Sequence, residues 1–195
     1  TNNINNNNNN NFNSNNINNK LRGVIQIRRL LSIEKNPPCN EIVKSGIIKK
    51  LIGFFNPLSN EFINKEYLIF ESLWAITNIC ASTSQNTFIT VDNGSIEAFV
   101  NIIKKHNIFK LQIINQAIWG LANIAGDCQL LRDKILKTGI FHYICDNYKD
   151  FSRQLDPQII FFISNLIRSK NNDWKIIKKI IPVIKFILLK YSGKL

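Results

Sequence analysis

The 195-residue sequence lacks methionine altogether and contains only two histidines and four cysteines. The cysteines form no CxxC pair, and neither histidine has a paired ligand at metal-site spacing. The patterns that hold zinc are therefore missing. Because no signal peptide is visible either, we expect a reducing compartment and no bound metal.

Long hydrophobic runs and catalytic signatures are missing as well. The most apolar stretch, residues 180–189, is short and is interrupted by Pro182 and Lys185, so it cannot span a bilayer. Acidic residues are too dispersed for an acid–base pair, and serine, cysteine and histidine show no nucleophile pattern. No glycine-rich phosphate loop occurs. We expect no membrane partner, no cofactor and no enzymatic activity.

Acidic residues are few, because 13 Asp and Glu stand against 25 Lys and Arg, which gives a formal net charge of +12. Such a charge can indicate a nucleic-acid partner. The lysines are scattered, however, and no aromatic–basic nucleic-acid module is present. We favour a solvated basic surface and do not expect nucleic acid as a partner.

Asparagine dominates residues 1–19, including an unbroken run over residues 5–11. A polar tract of this kind cannot bury enough apolar area to offset its ordering entropy, so we predict disorder there. The chain begins with Thr1, has no methionine and ends in a largely apolar helical pattern. We expect either a removed initiator or a piece of a longer chain.

One short pattern occurs twice in the sequence and a third time in a modified form. An aromatic residue is followed four residues later by asparagine, and the copies lie 45 and then 42 residues apart. A period in the forties on helix-forming sequence predicts stacked helical repeats of the armadillo or HEAT kind. Residues four apart share one helix face. The pairs are Trp74 with Asn78, Trp119 with Asn123, and Phe161 with Asn165.

Glycines mark the same period. Gly46, Gly94 and Gly139 each follow a short helical pattern, and each supplies the left-handed residue that ends such a helix. Each unit then reads as a short helix, a glycine, a middle helix and a long helix. After Pro37 and Pro38 the sequence predicts a series of helices, with a long helix around Trp74 following the second of them. The other predicted helices cover residues 40–45, 47–55, 85–93, 95–105, 110–125, 129–138, 140–148, 156–168, 172–179 and 180–191.

Three segments carry a family resemblance: residues 30–38, residues 70–87 and residues 115–127, the last containing Trp119 and ending Ile-Ala-Gly-Asp127. They resemble the armadillo repeats of the importin alpha family, the adaptors that carry nuclear-localisation-signal cargo into the nucleus. The resemblance covers about residues 20–190. It implies an all-α armadillo-repeat right-handed solenoid with about three full repeats plus a partial fourth. We predict a partial repeat 20–56, repeats 57–106 and 107–150, and a partial repeat 151–195.

The resemblance also implies a concave groove that holds a basic peptide in extended form. An asparagine amide can bond the peptide backbone, and indoles can flank the stems of Lys or Arg with cation–π attraction. Asp127 would pair with the deepest lysine of the peptide, and Thr87 would receive the same ammonium. The implied site residues are Ser32, Trp74, Asn78, Thr87, Gln116, Trp119, Asn123, Asp127, Phe161 and Asn165.

The sequence departs from the family pattern at several positions. Phe161 replaces a third tryptophan, which weakens the cation–π attraction. Asn115 stands at a usually acidic position, Ile33 at a usually basic one, and the charge of +12 disfavours a basic ligand at long range. We therefore expect a receptor weaker than the family norm. No basic importin-beta-binding segment is visible, so importin beta is a partner only if the full-length product supplies one.

Alternative interpretations accompany these predictions. Tryptophan at helical spacing is more often part of a core, but asparagine is a poor helix former, and a core has no evident need of its amide. Asp127 can also cap the helix that follows it. The expected partners are cargo proteins with Lys/Arg-rich signals, and the expected localisation is cytoplasm and nucleus. The alternatives are a truncated armadillo scaffold without import activity and a basic solenoid for nucleic acid.

Overall fold

The computed structural model describes residues 2–55, 65–168 and 174–192. Over these residues the regular structure is entirely helical, with no β-strand. The chain divides into two compact units, Thr1–Gly94 and Ser95–Leu195. Within the described ranges no helix is long and apolar enough to cross a membrane.

The first unit is built around its long fourth helix, which packs against α1 and α3. The apolar side chains Leu51, Phe55, Leu73 and Ile76 are completely buried between these helices. The fifth helix closes the unit against α2 and α4. The helices are α1 (Asn2–Leu31), α2 (Cys39–Lys44), α3 (Ile48–Phe55), α4 (Glu66–Cys80) and α5 (Ser84–Asp92).

The second unit has the same plan around α7, which packs against α6, α8 and α10. Its α9 contacts α6, α8 and α11. Two short 3₁₀ helices, Tyr148–Asp150 and Arg153–Leu155, lead into α10. The helices are α6 (Ser95–Lys104), α7 (Leu111–Asp127), α8 (Gln129–Lys137), α9 (Ile140–Asp146), α10 (Asp156–Leu166) and α11 (Trp174–Tyr191).

The glycine positions are confirmed as the turning points of the repeat. Gly46, Gly94 and Gly139 have φ angles of 76°, 89° and 73°, the left-handed conformation that glycine adopts without a Cβ penalty. Each ends a short helix, and the third helix of each set of three is the longest. The predicted three-helix order is therefore confirmed.

The structure differs from the sequence prediction at both ends. Disorder is predicted for residues 1–19, whereas helix α1 begins at Asn2. No proline or glycine precedes Gly23, and extending an existing helix adds one hydrogen bond for each residue ordered. The division of the chain at residue 20 stays a prediction.

The prediction of two helices over residues 172–179 and 180–191 is wrong. The structure has the single helix α11, Trp174–Tyr191, and residues 172 and 173 lie outside the described residues. No glycine occurs between the two predicted segments to supply a left-handed turn. Pro182 lies inside α11, where it removes one backbone donor without ending the helix.

Candidate functional site

The α4 face, defined here as Glu71, Trp74 and Asn78, is turned towards α1. The Nε atom of Arg28 donates to Glu71 Oε2 at 2.6 Å, and its Nη2 atom donates to Glu71 Oε1 at 3.3 Å. The guanidinium carbon of Arg28 lies 4.4 Å from the centroid of the half-buried Trp74 ring. A cation of the protein itself therefore stacks on the first tryptophan of the predicted site.

Asn78 connects α4 to the end of α1. Its Nδ2 atom donates to the backbone oxygen of Leu31 at 3.3 Å and to Ser32 Oγ at 3.0 Å. Leu31 is the last residue of α1, so its carbonyl has no partner within the helix. Both amide hydrogens of Asn78 are engaged. In this conformation only its oxygen can meet a ligand.

Thr87 lies inside the first unit rather than on its surface. The residue is 1% exposed, and its hydroxyl lies 3.2 Å from the Cys80 carbonyl oxygen and 3.1 Å from that of Thr83, towards which it donates. Ala81 and Ser82, in the turn between α4 and α5, are exposed. The predicted contact of Thr87 with a ligand ammonium stays a prediction.

The α7 face, defined here as Trp119, Asn123 and Asp127, has residues spaced by four and so lies along one side of the helix. Trp119 is 45% exposed, and Asn123 and Asp127 are half-buried. Both half-buried residues also make contacts within the protein. Gln116, three residues before Trp119 on α7, is 7% exposed and also makes contacts within the protein.

Asp127 places a negative charge at the negative end of a helix. It is the last residue of α7, where the macrodipole disfavours a carboxylate by about 0.3–1 kcal/mol and favours a cation. The N-cap of α8 is Cys128, with no side-chain cap bond, so Asp127 does not occupy the capping position that the sequence left open. Arg132 Nη1 donates to the Ala125 carbonyl at 3.0 Å, which shows that this helix end already attracts a cation.

On α10 the two predicted site residues have different environments. Phe161 is 40% exposed, whereas Asn165 is only 2% exposed. The Nδ2 atom of Asn165 donates to the Ala122 carbonyl at 2.8 Å. A Cβ on Gly126 would lie 3.1 Å from that nitrogen, so the glycine permits the close approach. Among the described residues, the buried Oδ1 atom of Asn165 has no hydrogen-bond partner.

The repeated asparagine therefore has a structural use that the sequence argument did not foresee. Asn78 bonds the carbonyl of Leu31, and Asn165 bonds that of Ala122, in each case on the preceding long helix of the same unit. A core does have a need for this amide, because it links consecutive long helices. The backbone-gripping roles of both residues stay predictions.

Arg28 and Glu71 were not predicted as site residues from the sequence, although the repeat period indicates the position of Arg28. Arg28 precedes Trp74 by 46 residues, and Ser32 precedes Asn78 by 46, close to the 45-residue step between the two tryptophans. Arg28 thus stands at the aromatic position of the first repeat, and Ser32 at the asparagine position. Searching one period upstream of Trp74 would have found Arg28.

Metal-binding groups are not assembled in the part of the chain that the structure describes, where no three His, Cys, Asp or Glu side chains come together. The chemistry of the α4 and α7 faces is instead that of cation recognition. Each combines an indole ring with a carboxylate on the same helix, Trp74 with Glu71 and Trp119 with Asp127. Each partner attracts a Lys or Arg side chain, and on α7 the two lie eight residues, or about 12 Å, apart along the helix.

Comparison with known proteins finds importin alpha subunits as the sequence relatives of this chain. No family model matches the chain. It is 34% identical over 152 residues to importin subunit alpha-6 of Arabidopsis thaliana, covering 77% of this chain and 27% of that protein. It is 30% identical over 154 residues to importin subunit alpha-1b of Oryza sativa subsp. japonica, with the same coverage of 77% and 27%. The chain spans about a quarter of the length of these relatives.

Solved structures show the fold. The designed armadillo repeat protein YIII(Dq.V1)4CPAF in complex with peptide (KR)4 matches with a TM-score of 0.63 at 23% identity, over 83% of this chain and 61% of that one. At this identity the likeness establishes the fold alone. The predicted all-α armadillo-repeat fold is confirmed. The chain is thus an armadillo-repeat protein whose sequence is similar, over 77% of its length, to importin alpha subunits.

Proposed function

We propose that this chain binds the short Lys/Arg-rich nuclear localisation signal of cargo proteins, as part of protein import into the nucleus. The observation that carries the proposal is the α7 face, on which an exposed indole, an amide and a carboxylate follow one another at four-residue steps. The relatives are importin alpha subunits, and a designed protein of the same fold holds the basic peptide (KR)4.

Each group on the α7 face has a part in such binding. The 45% exposed ring of Trp119 offers a flat surface for the methylene stem of a lysine or arginine. The amide of Asn123 has both donor and acceptor groups for the peptide backbone. Asp127, at the carbonyl end of α7, attracts the ammonium group through both its own charge and the helix dipole.

Phe161 extends the same chemistry to α10. Its ring is 40% exposed and offers an aromatic surface with a weaker cation–π attraction than an indole. Ser32, Trp74, Asn78 and Thr87 belong to the first unit and are proposed to contribute a second set of contacts. The proposed partners are basic cargo proteins, and the proposed localisation is cytoplasm and nucleus, with importin beta only through a basic segment of the full-length product.

A second candidate function is an armadillo scaffold for other protein contacts, without import activity. One observation favours it: the amide donors of Asn78 and Asn165 are engaged within the protein, and Trp74 is covered by Arg28. If those contacts persist in the presence of a peptide, the amide donors of Asn78 and Asn165 and the covered ring of Trp74 do not take part in binding it.

Fluorescence anisotropy of a labelled Lys-rich peptide, titrated with the chain, tests the proposal. We expect saturable binding that Asp127→Asn weakens by about tenfold or more, because a hydrogen bond to a charged group contributes about 1.5–3 kcal/mol. Asp150→Asn, at an exposed acidic residue, makes the same charge change away from the α7 face and is expected to bind like the wild type.

Trp119→Ala is expected to weaken binding as well, whereas Trp174→Ala serves as its control on α11, where the indole is 60% exposed. Circular dichroism establishes that each variant is folded. A folded wild-type chain that fails to bind the basic peptide contradicts the proposed function and favours the scaffold.

A further inference from the structure

We propose that helix α11 carries a docking surface for an amphipathic helix of another protein, one whose apolar stripe is bordered by acidic side chains. The proposal concerns the second unit alone and does not depend on the proposed binding of a basic peptide. The surface, named the α11 seam, consists of Trp174, Ile177, Ile181, Ile184, Leu188 and Tyr191.

The α11 seam has the spacing of a coiled-coil helix. Its six residues are separated alternately by three and four positions, so they occupy the a and d positions of a heptad along the whole helix. Five of them are exposed, from 46% at Ile184 to 65% at Leu188, and Ile177 is half-buried. At about 1.5 Å per residue the seam is about 26 Å long, which accommodates a partner helix of about five turns.

The seam is distinct from the residues that anchor α11 in its own unit. Ile180, Val183 and Ile187 are 4%, 3% and 6% exposed, and α11 contacts α9. These three residues occupy other heptad positions than the seam does. The helix therefore has apolar side chains both towards the unit and away from it, a distribution typical of a helix that is covered on more than one side.

Cations border the seam. Lys178 and Lys185 are exposed, and each follows an a residue by four positions, at the e position where charges select the partner of a coiled coil. The guanidinium carbon of Arg153 lies 4.6 Å from the centroid of the Tyr191 ring, which adds a cation at the carboxyl end of the seam. The α11 sequence contains neither Asp nor Glu. The complementary edge of a partner is therefore acidic.

A second copy of this chain is a poor occupant of the seam. Its own α11 would bring Lys178 and Lys185 to the interface without any acidic residue of that helix to pair with them. Like charges beside an apolar seam disfavour pairing of a helix with itself. The net charge of +12 also makes two copies repel each other.

A lipid surface suits the seam less well than a helix does. A helix that lies on a membrane carries its charges on the face opposite its apolar side. On α11 the exposed Lys178 and Lys185 instead border the apolar residues, and Lys179 on the opposite side is paired with Asp146 of α9. A partner helix with acidic flanks meets the apolar stripe and the bordering lysines at once.

The probe is a labelled peptide of three heptads with leucine at a and d and glutamate at e and g. The glutamates keep the peptide from pairing with itself. Fluorescence anisotropy follows its binding to the full chain, in comparison with a peptide that has lysine at e and g. We expect saturable binding of the glutamate peptide and at least about tenfold weaker binding of the lysine peptide, a difference that narrows as salt is added.

Matched variants separate the seam from the general attraction of a basic protein for an acidic peptide. Leu188→Asp is expected to weaken binding by about tenfold or more, because it places a carboxylate in the apolar contact. Leu130→Asp makes the same change on α8, at a side chain that is 56% exposed, and is expected to bind like the wild type. If circular dichroism shows that Leu188→Asp is not folded, Ile181→Asp replaces it.

A second pair of variants tests the charges. Lys185→Glu is expected to weaken binding of the glutamate peptide by about threefold, because an attraction becomes a repulsion. Lys137→Glu, at an exposed position on α8, makes the same charge change away from the seam and is expected to have less than about a twofold effect.

Each outcome supports or overturns the proposal. Failure of the glutamate peptide to bind the folded chain overturns it, and so does equal affinity of Leu188→Asp and Leu130→Asp, because net charge then explains the binding. Sedimentation velocity that shows a dimer, dissociated by Leu188→Asp, overturns it in favour of a second copy. Binding to phosphatidylserine vesicles that Leu188→Asp removes, without binding of the glutamate peptide, overturns it in favour of a membrane surface. None of these results bears on the binding of a basic peptide.

Discussion

Gly120 on α7 lies against the ring of Phe99 on α6, so closely that a Cβ atom at Gly120 would come within 2.4 Å of Phe99 Cζ. Phe99 is completely buried, so its ring can give way only if the surrounding core shifts. We expect Gly120→Ala to lower the free energy of unfolding by about 1–3 kcal/mol, the usual cost of overpacking a core. Urea denaturation monitored by circular dichroism measures the change.

Gly53→Ala is the matched control for this substitution. Gly53 lies within α3, and a Cβ there would meet nothing within 4 Å. Alanine is a better helix former than glycine by about 1 kcal/mol, so this variant is expected to be as stable as the wild type or more so. Equal stability of the two alanine variants would show that α6 moves aside for the extra methyl group.

Asn78→Ala tests the amide link between α4 and α1. The substitution removes the donors to the Leu31 carbonyl and to Ser32 Oγ, and each neutral hydrogen bond contributes about 0.5–1.5 kcal/mol. The better helix propensity of alanine offsets part of the loss, so we expect a net destabilisation of about 1 kcal/mol.

Ser32→Ala keeps the bond to the Leu31 carbonyl and is expected to have a smaller effect in the same urea titration. Asn78→Asp should be worse than Asn78→Ala, because it directs a carboxylate at the carbonyl end of α1. A ranking in which Asn78→Asp is the most stable of the three variants would show that the amide link contributes nothing.

Stability is expected to decline in alkaline solution, partly through Cys145. Burial, and then the charge of Asp146, raise the pKa of the Cys145 thiol from 9.0 to about 12, and Lys179 acts in the opposite direction. Above pH 9 the unfolded chain loses this proton while the folded chain keeps it. The stabilisation is therefore complete below pH 9 and disappears as the pH rises towards 12.

Cys145→Ala should show a shallower fall of the unfolding free energy over the same interval. Part of the slope is expected to remain, because burial also raises the pKa values of Tyr148 and Cys39. Urea titrations between pH 8.5 and about 11 follow the difference, which linkage limits to about 1.4 kcal/mol per pH unit for one proton. Parallel curves for the two proteins would mean that the thiol has an ordinary pKa.

Phe161→Trp is expected to strengthen binding of a basic peptide. The Phe161 side chain is 40% exposed, so the larger ring has room at the surface. Indole is the better cation–π partner, and at an exposed site the interaction is worth about 0.5–1 kcal/mol in all, so we expect a gain of about twofold. Phe161→Leu, which removes the ring but keeps an apolar side chain, should weaken the same peptide. A tighter complex for the leucine variant would place Phe161 outside the binding surface.

Local features of the sequence predicted most of the fold. The 45-residue step between Trp74 and Trp119 identified the repeat, and Gly46, Gly94 and Gly139 marked its turns, because a left-handed residue leaves a strong local signal. The predicted boundary between residues 179 and 180, close to Pro182, was wrong, because one helix runs from Trp174 to Tyr191. Whether a proline interrupts a helix depends on how the neighbouring turns are packed, and that information is not local.

The candidate site was predicted in its residue types but not in its contacts. Trp119, Asn123 and Asp127 lie along one helix face, as four-residue spacing requires. That Asn165 would be buried against Ala122, and that Arg28 would cover Trp74, could not be inferred from spacing within one helix. Both contacts join residues more than 40 positions apart.

The sequence by itself determined the helical class, the period of the repeat and the face of each long helix that carries the aromatic and amide residues. These properties depend on backbone geometry and on neighbours within one or two turns. Only the tertiary structure decided which of those polar groups are already engaged. A hydrogen bond or a stacked cation forms between whichever groups the packing of helices brings within about 3–5 Å, and at Trp74 that packing brought Arg28.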